Sequence, residues 1–351
     1  MENKSGISFV SLPFAAGVAS GAIAGAPFEG AIASSLASVC CIYISIAKGS
    51  RRPAAMAALY FCLGVMCWCT RALCPAPTPP HDSTALNKLA CMIEDAGFPG
   101  EHSASILQAL LTGRRNLLAP ATKAAFRKSG ASHILALSGL HLGVLYVFVK
   151  RLLSPLGNSR CAQVIKSIIT IALSSFYASA TGASPSIVRA LLFIIISEAG
   201  RLFTHRDRTP LGTYCTALTI QLCIRPDFIA TAGFQLSYLA MLGITVLYPR
   251  LESWFPPTRL PLASRYIWKC AALSISCQLF TAPVVWLHFR TFPTYFLITN
   301  LIAMPLTELI ITTAVTVLLL NAAGICPQFL VTAAGEMVKV LEFCLNAIAS
   351  I

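Results

Sequence analysis

Residues 131–149 read ASHILALSGLHLGVLYVFV, a stretch long and apolar enough to cross a bilayer that nevertheless carries Ser138, Gly139 and His141. A helix of about 20 residues fills the roughly 30 Å hydrocarbon layer, and a polar or ionisable side chain at that depth costs on the order of 2 to 3 kcal/mol unless it faces protein or water. A chain that keeps such groups inside an apolar run is expected to fold around a polar interior within a membrane. Composition agrees: 56% of residues are apolar, mean hydropathy is +0.73, and 11% are charged, where a soluble domain would carry about a quarter. An ordinary soluble domain is excluded. The expected class is all-α, a polytopic helix bundle, because backbone facing lipid must satisfy its own hydrogen bonds.

Apolar windows fall at 7–25, 30–47, 54–73, 131–149, 161–180, 187–203, 211–224, 228–248, 267–287, 293–320 and 328–350. They predict about ten crossings, with the shorter windows at 187–203 and 211–224 broken or re-entrant. Basic residues occupy alternate loops: Lys4; Lys48, Arg51 and Arg52; Lys150, Arg151 and Arg160; Arg201 to Arg208; and Arg250, Arg259, Arg265 and Lys269. By the positive-inside rule the amino terminus is cytoplasmic, and 74–130 and the loops around Arg225 and Arg290 lie outside. Most of the net charge of +13 is then topological and does not by itself call for nucleic acid. The first residues have the outline of a secretory signal, with Lys4, an apolar stretch and small residues before Ala26. Further apolar segments follow at once, so an uncleaved first span is expected.

Three segments result: an amino-terminal membrane region at 1–73 of about three spans, an outer-face linker at 74–130, and a large apolar domain at 131–351. The linker opens with CPAPTPPHDS and holds all its carboxylates, Asp82, Glu94, Asp95 and Glu101, ahead of Arg114. Arg114, Arg115, Lys123, Arg127 and Lys128 therefore form a basic strip just before the next span, suited to lipid headgroups or to a polyanion at a pore mouth. Most of the fourteen cysteines lie in or beside apolar runs and serve as small hydrophobes. Cys74 and Cys91 flank the outer polar segment and are the pair placed to form a disulfide. No Cys/His spacing matches a zinc site, and no metal or cofactor is expected.

Polar residues recur inside the apolar windows. On one helix Ser138 and His141 share a face, and Gly139 with Gly143 permits close approach of a neighbour. TGASPSIVRALLF offers Ser184 as an N-cap and Pro185 as the first helical residue, leaving Arg189 to snorkel or to bind phosphate in an aqueous cavity. GFQLSYLAMLGI carries Gln235 and Ser237, and SISCQLFTAPVVW carries Ser276 and Gln278. NLIAMPLTELII carries Asn300, Pro305 and Glu308. Pro305 deprives the Leu301 carbonyl of its usual partner, and a carboxylate within a span, as Glu308 is, is a functional candidate by default. Glu198 is a weaker one, because Arg201 lies one turn away.

Four of these segments, HILALSGLHLGVL, TGASPSIVRALLF, GFQLSYLAMLGI and QLFTAPVVWLHFRTFPTYFLITNLIAMPL, in this order and at these separations, resemble the competence domain of ComEC-type DNA-uptake channel proteins. GRRNLL and the apolar first 73 residues are similar to that family's amino-terminal membrane region. The resemblance implies a competence-type channel domain over 131–351 in a bacterial inner membrane, admitting single-stranded DNA during natural transformation. It places Ser138, Gly139, His141, Arg189, Gln235, Ser237, Asn300 and Pro305 near the path and supplies no catalytic role. The sequence departs from the fuller family pattern: its outer insertion is short for an OB-fold, and no His-x-His-x-Asp-His run of the kind a β-lactamase-like domain carries occurs in it. Strand degradation is therefore not expected of this chain.

A strand with one phosphate per nucleotide needs a hydrated lumen, and moving it toward a negative interior costs about 2.3 kcal/mol per charge per 100 mV. No Gly-x-x-x-x-Gly-Lys-Ser/Thr motif occurs, so a cytoplasmic ATPase or helicase motor is an expected partner. An outer-face DNA receptor, the lipid bilayer and further copies of the chain complete the expected partners. Two rivals stand beside this. An intramembrane serine hydrolase would use Ser138 and His141, but these lie at i and i+3 of one helix, and Ala136 stands where a rhomboid-like motif has Gly. A proton- or ion-coupled small-molecule transporter would use Glu308 beside the proline-interrupted window.

Overall fold

The structure, a computed structural model, describes residues 6–47, 52–74, 84–99, 101–135, 139–203, 209–254, 262–290 and 295–350. Among them are sixteen α-helices and no strand. The helices are α1 (Gly6–Ala24), α2 (Pro27–Ala47), α3 (Arg52–Leu73), α4 (Thr84–Asp95), α5 (Glu101–Thr112), α6 (Pro120–Lys128), α7 (Ser132–Leu135) and α8 (Gly139–Leu152). They continue with α9 (Arg160–Ala180), α10 (Pro185–Phe203), α11 (Pro210–Ile224), α12 (Ala232–Val246), α13 (Tyr248–Glu252), α14 (Leu262–Phe289), α15 (Phe296–Ala322) and α16 (Gln328–Ala349). Prolines open α2, α6, α10 and α11, where a missing N–H costs nothing. Ser159 and Thr209 cap α9 and α11, accepting from the N–H groups of Ala162 and Gly212 at 3.2 Å.

Among the described residues five helices are long and apolar enough to cross a membrane: α1, α3, α9, α14 and α15. The all-helical, multi-span expectation holds, but about ten crossings does not emerge from the described residues. α10 carries Arg189, Glu198 and Arg201, and α16 carries Glu336, Lys339 and Glu342, charges that interrupt an apolar window. α11 and α12 are shorter apolar helices of 15 residues each, and α10 is unbroken over 19 residues. Within 131–149 the described helices are the single turn of α7 and the 14-residue α8, with 136–138 between them outside the described residues. α15 runs through Pro305 without a break.

The chain divides into two compact units, one from 1–79 with 192–245 and one from 80–191 with 246–351. In the first, α1 and α2 pack on α3, and α1 also meets α11. A Cβ on Gly17 would lie 2.0 Å from the Phe61 carbonyl oxygen, and one on Gly64 would lie 2.1 Å from that of Phe14. The backbones of α1 and α3 thus touch, the small-residue packing that associates helices where lipid supplies no hydrophobic drive. Phe14, Val18, Tyr214, Leu218, Leu222, Phe234 and Tyr238 fill its core. Hydroxyls there bond internally: Ser11 to the Cys215 carbonyl (3.1 Å), Thr219 to Ser11 (2.9 Å) and Tyr238 to Gln221 (2.8 Å).

The second unit has the larger core, where Ile93, Phe98, Leu107, Leu110, Phe126 and Ile134 meet Ile310, Val317, Leu341 and Leu345. Much of the expected linker is therefore folded. α5 is buried along most of its length, the Tyr177 hydroxyl of α9 donates to the Leu111 carbonyl at 3.0 Å, and Pro99 rests on Gly335 of α16.

Candidate functional site

The first helical residues of α8 and α10 come together in the second unit. A Cβ at Gly139 would lie 2.8 Å from Arg189 Nη2, 3.1 Å from Ala190 Cβ and 3.5 Å from the Ser186 carbonyl oxygen. Glycine is what admits the guanidinium there. A Cβ at Gly143 would meet nothing within 4 Å, so close approach belongs to Gly139 alone. The turn before α10 holds Gly182 and Ala183 at φ 78° and 48°, the second a left-handed conformation uncommon for a residue with a side chain. That turn delivers Ser184 and Pro185 to the start of α10, with Ile187 buried and Arg189 half-buried one turn on. Two helix amino termini, each bearing partial positive charge, and one guanidinium are thereby gathered.

Elsewhere in the second unit other polar groups are held inside. His141 of α8 is 2% exposed. The side-chain atoms Ser184 Oγ, Gln278 Nε2, Asn300 Oδ1 and Thr307 Oγ1 are buried without a hydrogen-bond partner among the described residues. In a dry interior each such group would cost about 1 to 3 kcal/mol, so water or a polar ligand is the physical complement of this set.

The sequence candidates divide between the units. Gly139, His141, Arg189, Gln278, Asn300, Pro305 and Glu308 belong to the second, and Gln235 and Ser237 to the first; Ser138 lies outside the described residues. Gln235 is occupied, its Nε2 donating to the Ile229 carbonyl at 2.9 Å, and Ser237 is half-buried on α12. Glu308 is exposed on the outward face of α15, whereas Thr307 is fully buried. The hydroxyl one position earlier, not the carboxylate, is the inward group.

Of the basic strip, Arg114 donates to Asn87 and Arg115 Nε to the Leu135 carbonyl at 3.0 Å. Lys123, Arg127 and Lys128 are exposed on α6, whose opposite side buries Thr122, Ala125 and Phe126 and ties Thr122 to Glu342 at 3.0 Å. Cys74 and Cys91 are exposed free thiols, one in each unit. Among the described residues no three His, Cys, Asp or Glu side chains converge as a metal site.

An all-helical membrane protein with these segments falls in a recognised class. A profile described as Competence protein matches residues 110–351, and the chain belongs to that family; it is a multi-pass membrane protein. A curated relative is ComE operon protein 3 of Bacillus subtilis (strain 168), 30% identical over 203 residues, which are 58% of this chain and 24% of the relative. The chain thus matches about a quarter of that protein's length. No solved structure matches.

Proposed function

We propose that this chain forms the membrane passage through which single-stranded DNA reaches the cytoplasm in natural transformation. The observation that carries the reading is the meeting of Arg189 with the amino termini of α8 and α10, in a unit that also buries Ser184 Oγ, Gln278 Nε2, Asn300 Oδ1 and Thr307 Oγ1 without hydrogen-bond partners among the described residues. Phosphodiesters are complementary to such a place: helix amino termini and a guanidinium favour anions, and water fills what they leave. Family membership and the curated relative support the setting. Exposed Lys123, Arg127 and Lys128 on α6 would draw the strand to the mouth. The membrane is the bacterial inner membrane, with the amino terminus cytoplasmic by the alternation of basic loops. The chain conducts and does not cleave; the work against the membrane potential comes from a separate cytoplasmic motor, and a receptor presents the strand outside.

Deleting the gene tests this, scoring labelled DNA in the cytoplasm and transformants separately. Both fall to background if the reading holds, and normal values for both reject it. Arg189→Glu and His141→Leu lower uptake at unchanged protein abundance; loss of the protein itself would instead make these residues part of the packing.

A further inference from the structure

A second cationic cluster, at residues no part of the preceding site uses, closes one end of the first unit. Arg71 lies in the last turn of α3, and Arg225 and Asp227 lie in the turn between α11 and α12. Arg225 grips the Asp227 carboxylate through Nε at 3.1 and 3.2 Å and Nη2 at 2.8 Å, while Arg71 Nε stands 3.5 Å from the same carboxylate. Two guanidiniums thus share one carboxylate, which leaves a net positive charge and N–H donors over. The Arg225 Cζ also lies 4.5 Å from the centre of the Phe228 ring, in cation–π contact. The three charged side chains are 17%, 27% and 41% exposed for Arg71, Arg225 and Asp227, so the cluster is held by protein yet open to solvent.

The turn is braced from behind. Gln235 Nε2 donates to the Ile229 carbonyl at 2.9 Å, and Thr231 Oγ1 to that of Phe228 at 2.7 Å. Gln235, met first as a polar residue in an apolar run, is accordingly a positioning residue for this turn. Burial opposes ionisation of Asp227, but the bonds and charge of Arg225, with the charge of Arg71, outweigh it and hold the carboxyl below its usual range. Asp227 therefore stays ionised through neutral pH.

We infer that Arg71 and Arg225, spaced by Asp227 and backed by Phe228, form a phosphodiester-binding site for single-stranded DNA. The inference rests on the DNA-passage reading. A ring beside a guanidinium suits an unstacked nucleotide, whose phosphate takes the charge and whose base takes the π-face. The alternation of basic loops puts both segments on the outer face, where a strand arrives.

The test is binding of a fluorescent oligothymidylate to the full chain in phosphatidylcholine nanodiscs over a salt series. Arg71→Ala and Arg225→Ala should each weaken binding about tenfold and flatten the salt dependence by roughly 0.7 per lost phosphate contact. Asp227→Asn keeps the shape and removes the competing anion, so it should bind severalfold tighter. A purely structural clamp would lose thermal stability in all three and gain affinity in none. Variants that stay folded and bind with unchanged affinity and salt dependence would overturn the inference, as would equal suppression of binding by phosphatidylglycerol in wild type and variants alike. Failure of the wild-type chain to bind the oligonucleotide at all would instead remove the passage reading.

Discussion

Gly139→Ala separates the packing of α8 on α10 from the placement of Arg189. The new methyl would stand 2.8 Å from Arg189 Nη2 and 3.1 Å from Ala190 Cβ. The guanidinium is the far end of a flexible side chain and yields first, by about 0.6 Å or more to reach ordinary contact. Ala190 is fixed to its helix, so α8 and α10 must part by a few tenths of an ångström, which forfeits up to about a quarter of the contact energy there. Overpacking of this size costs about 1 kcal/mol, the low end of its range, and because Gly139 opens α8 the propensity advantage alanine has in a helix interior offsets little of it. Stability should therefore fall only slightly while Arg189 is displaced. Gly143→Ala, with nothing within 4 Å, has the propensity gain alone and should leave both stability and uptake intact. Transformation frequency, membrane abundance by immunoblot and thermal aggregation in detergent give the comparison. Uptake should fall only for Gly139→Ala, and in an Arg189→Ala background the same substitution should do nothing further. Equal behaviour of the two glycine variants, or loss of Gly139→Ala protein in step with loss of uptake, would refute the reasoning.

Gly64→Ala puts a methyl 2.1 Å from the Phe14 carbonyl oxygen; a backbone atom cannot rotate away, so α1 and α3 must separate and fluorescence-detected melting should drop, by about 1 to 3 kcal/mol of stability. Gly335→Ala meets the Pro99 ring at 2.5 Å, should destabilise the second unit by a similar roughly 1 to 3 kcal/mol, and should be relieved by adding Pro99→Ala, read by the same melt. For pH, a carboxyl depressed in the folded state adds stability above its unfolded value and loses it as pH falls through the lower folded one. The ordinary value for Asp227 is 3.8, so its contribution should persist at pH 5 and disappear only in stronger acid, and Asp227→Asn should erase that acid-dependent part of the melting profile.

The buried polar character of the chain was legible in the sequence because each polar residue interrupts an apolar run, whatever the tertiary packing. Its direction was not. Glu308 drew attention as the ionisable group in its window, but successive helix positions differ by about 100°, and the packing of α15 buries Thr307 while turning Glu308 outward. The same limit applies to Gly139 and Gly143, which the spacing makes equivalent and the position of Arg189 does not. The segment after Cys74 read as a linker because its proline-rich opening and charges hide a half-apolar pattern. Leu107, Leu110 and Phe126 are core residues only because α15 and α16, some 200 residues later, present the opposing surface. What that contact implies reaches beyond packing. Helices α4 and α5, which lie mostly ahead of the family-matched segment, share one hydrophobic core with it and with α6 inside it, so the exposed basic side of α6 is carried on a fixed scaffold, not on a tether. A fixed scaffold lets Lys123 and Arg127, one turn apart, present their charges at a constant spacing. Substituting both with glutamine should then lower uptake more at high salt than at low, where long-range attraction by the remaining charge still compensates.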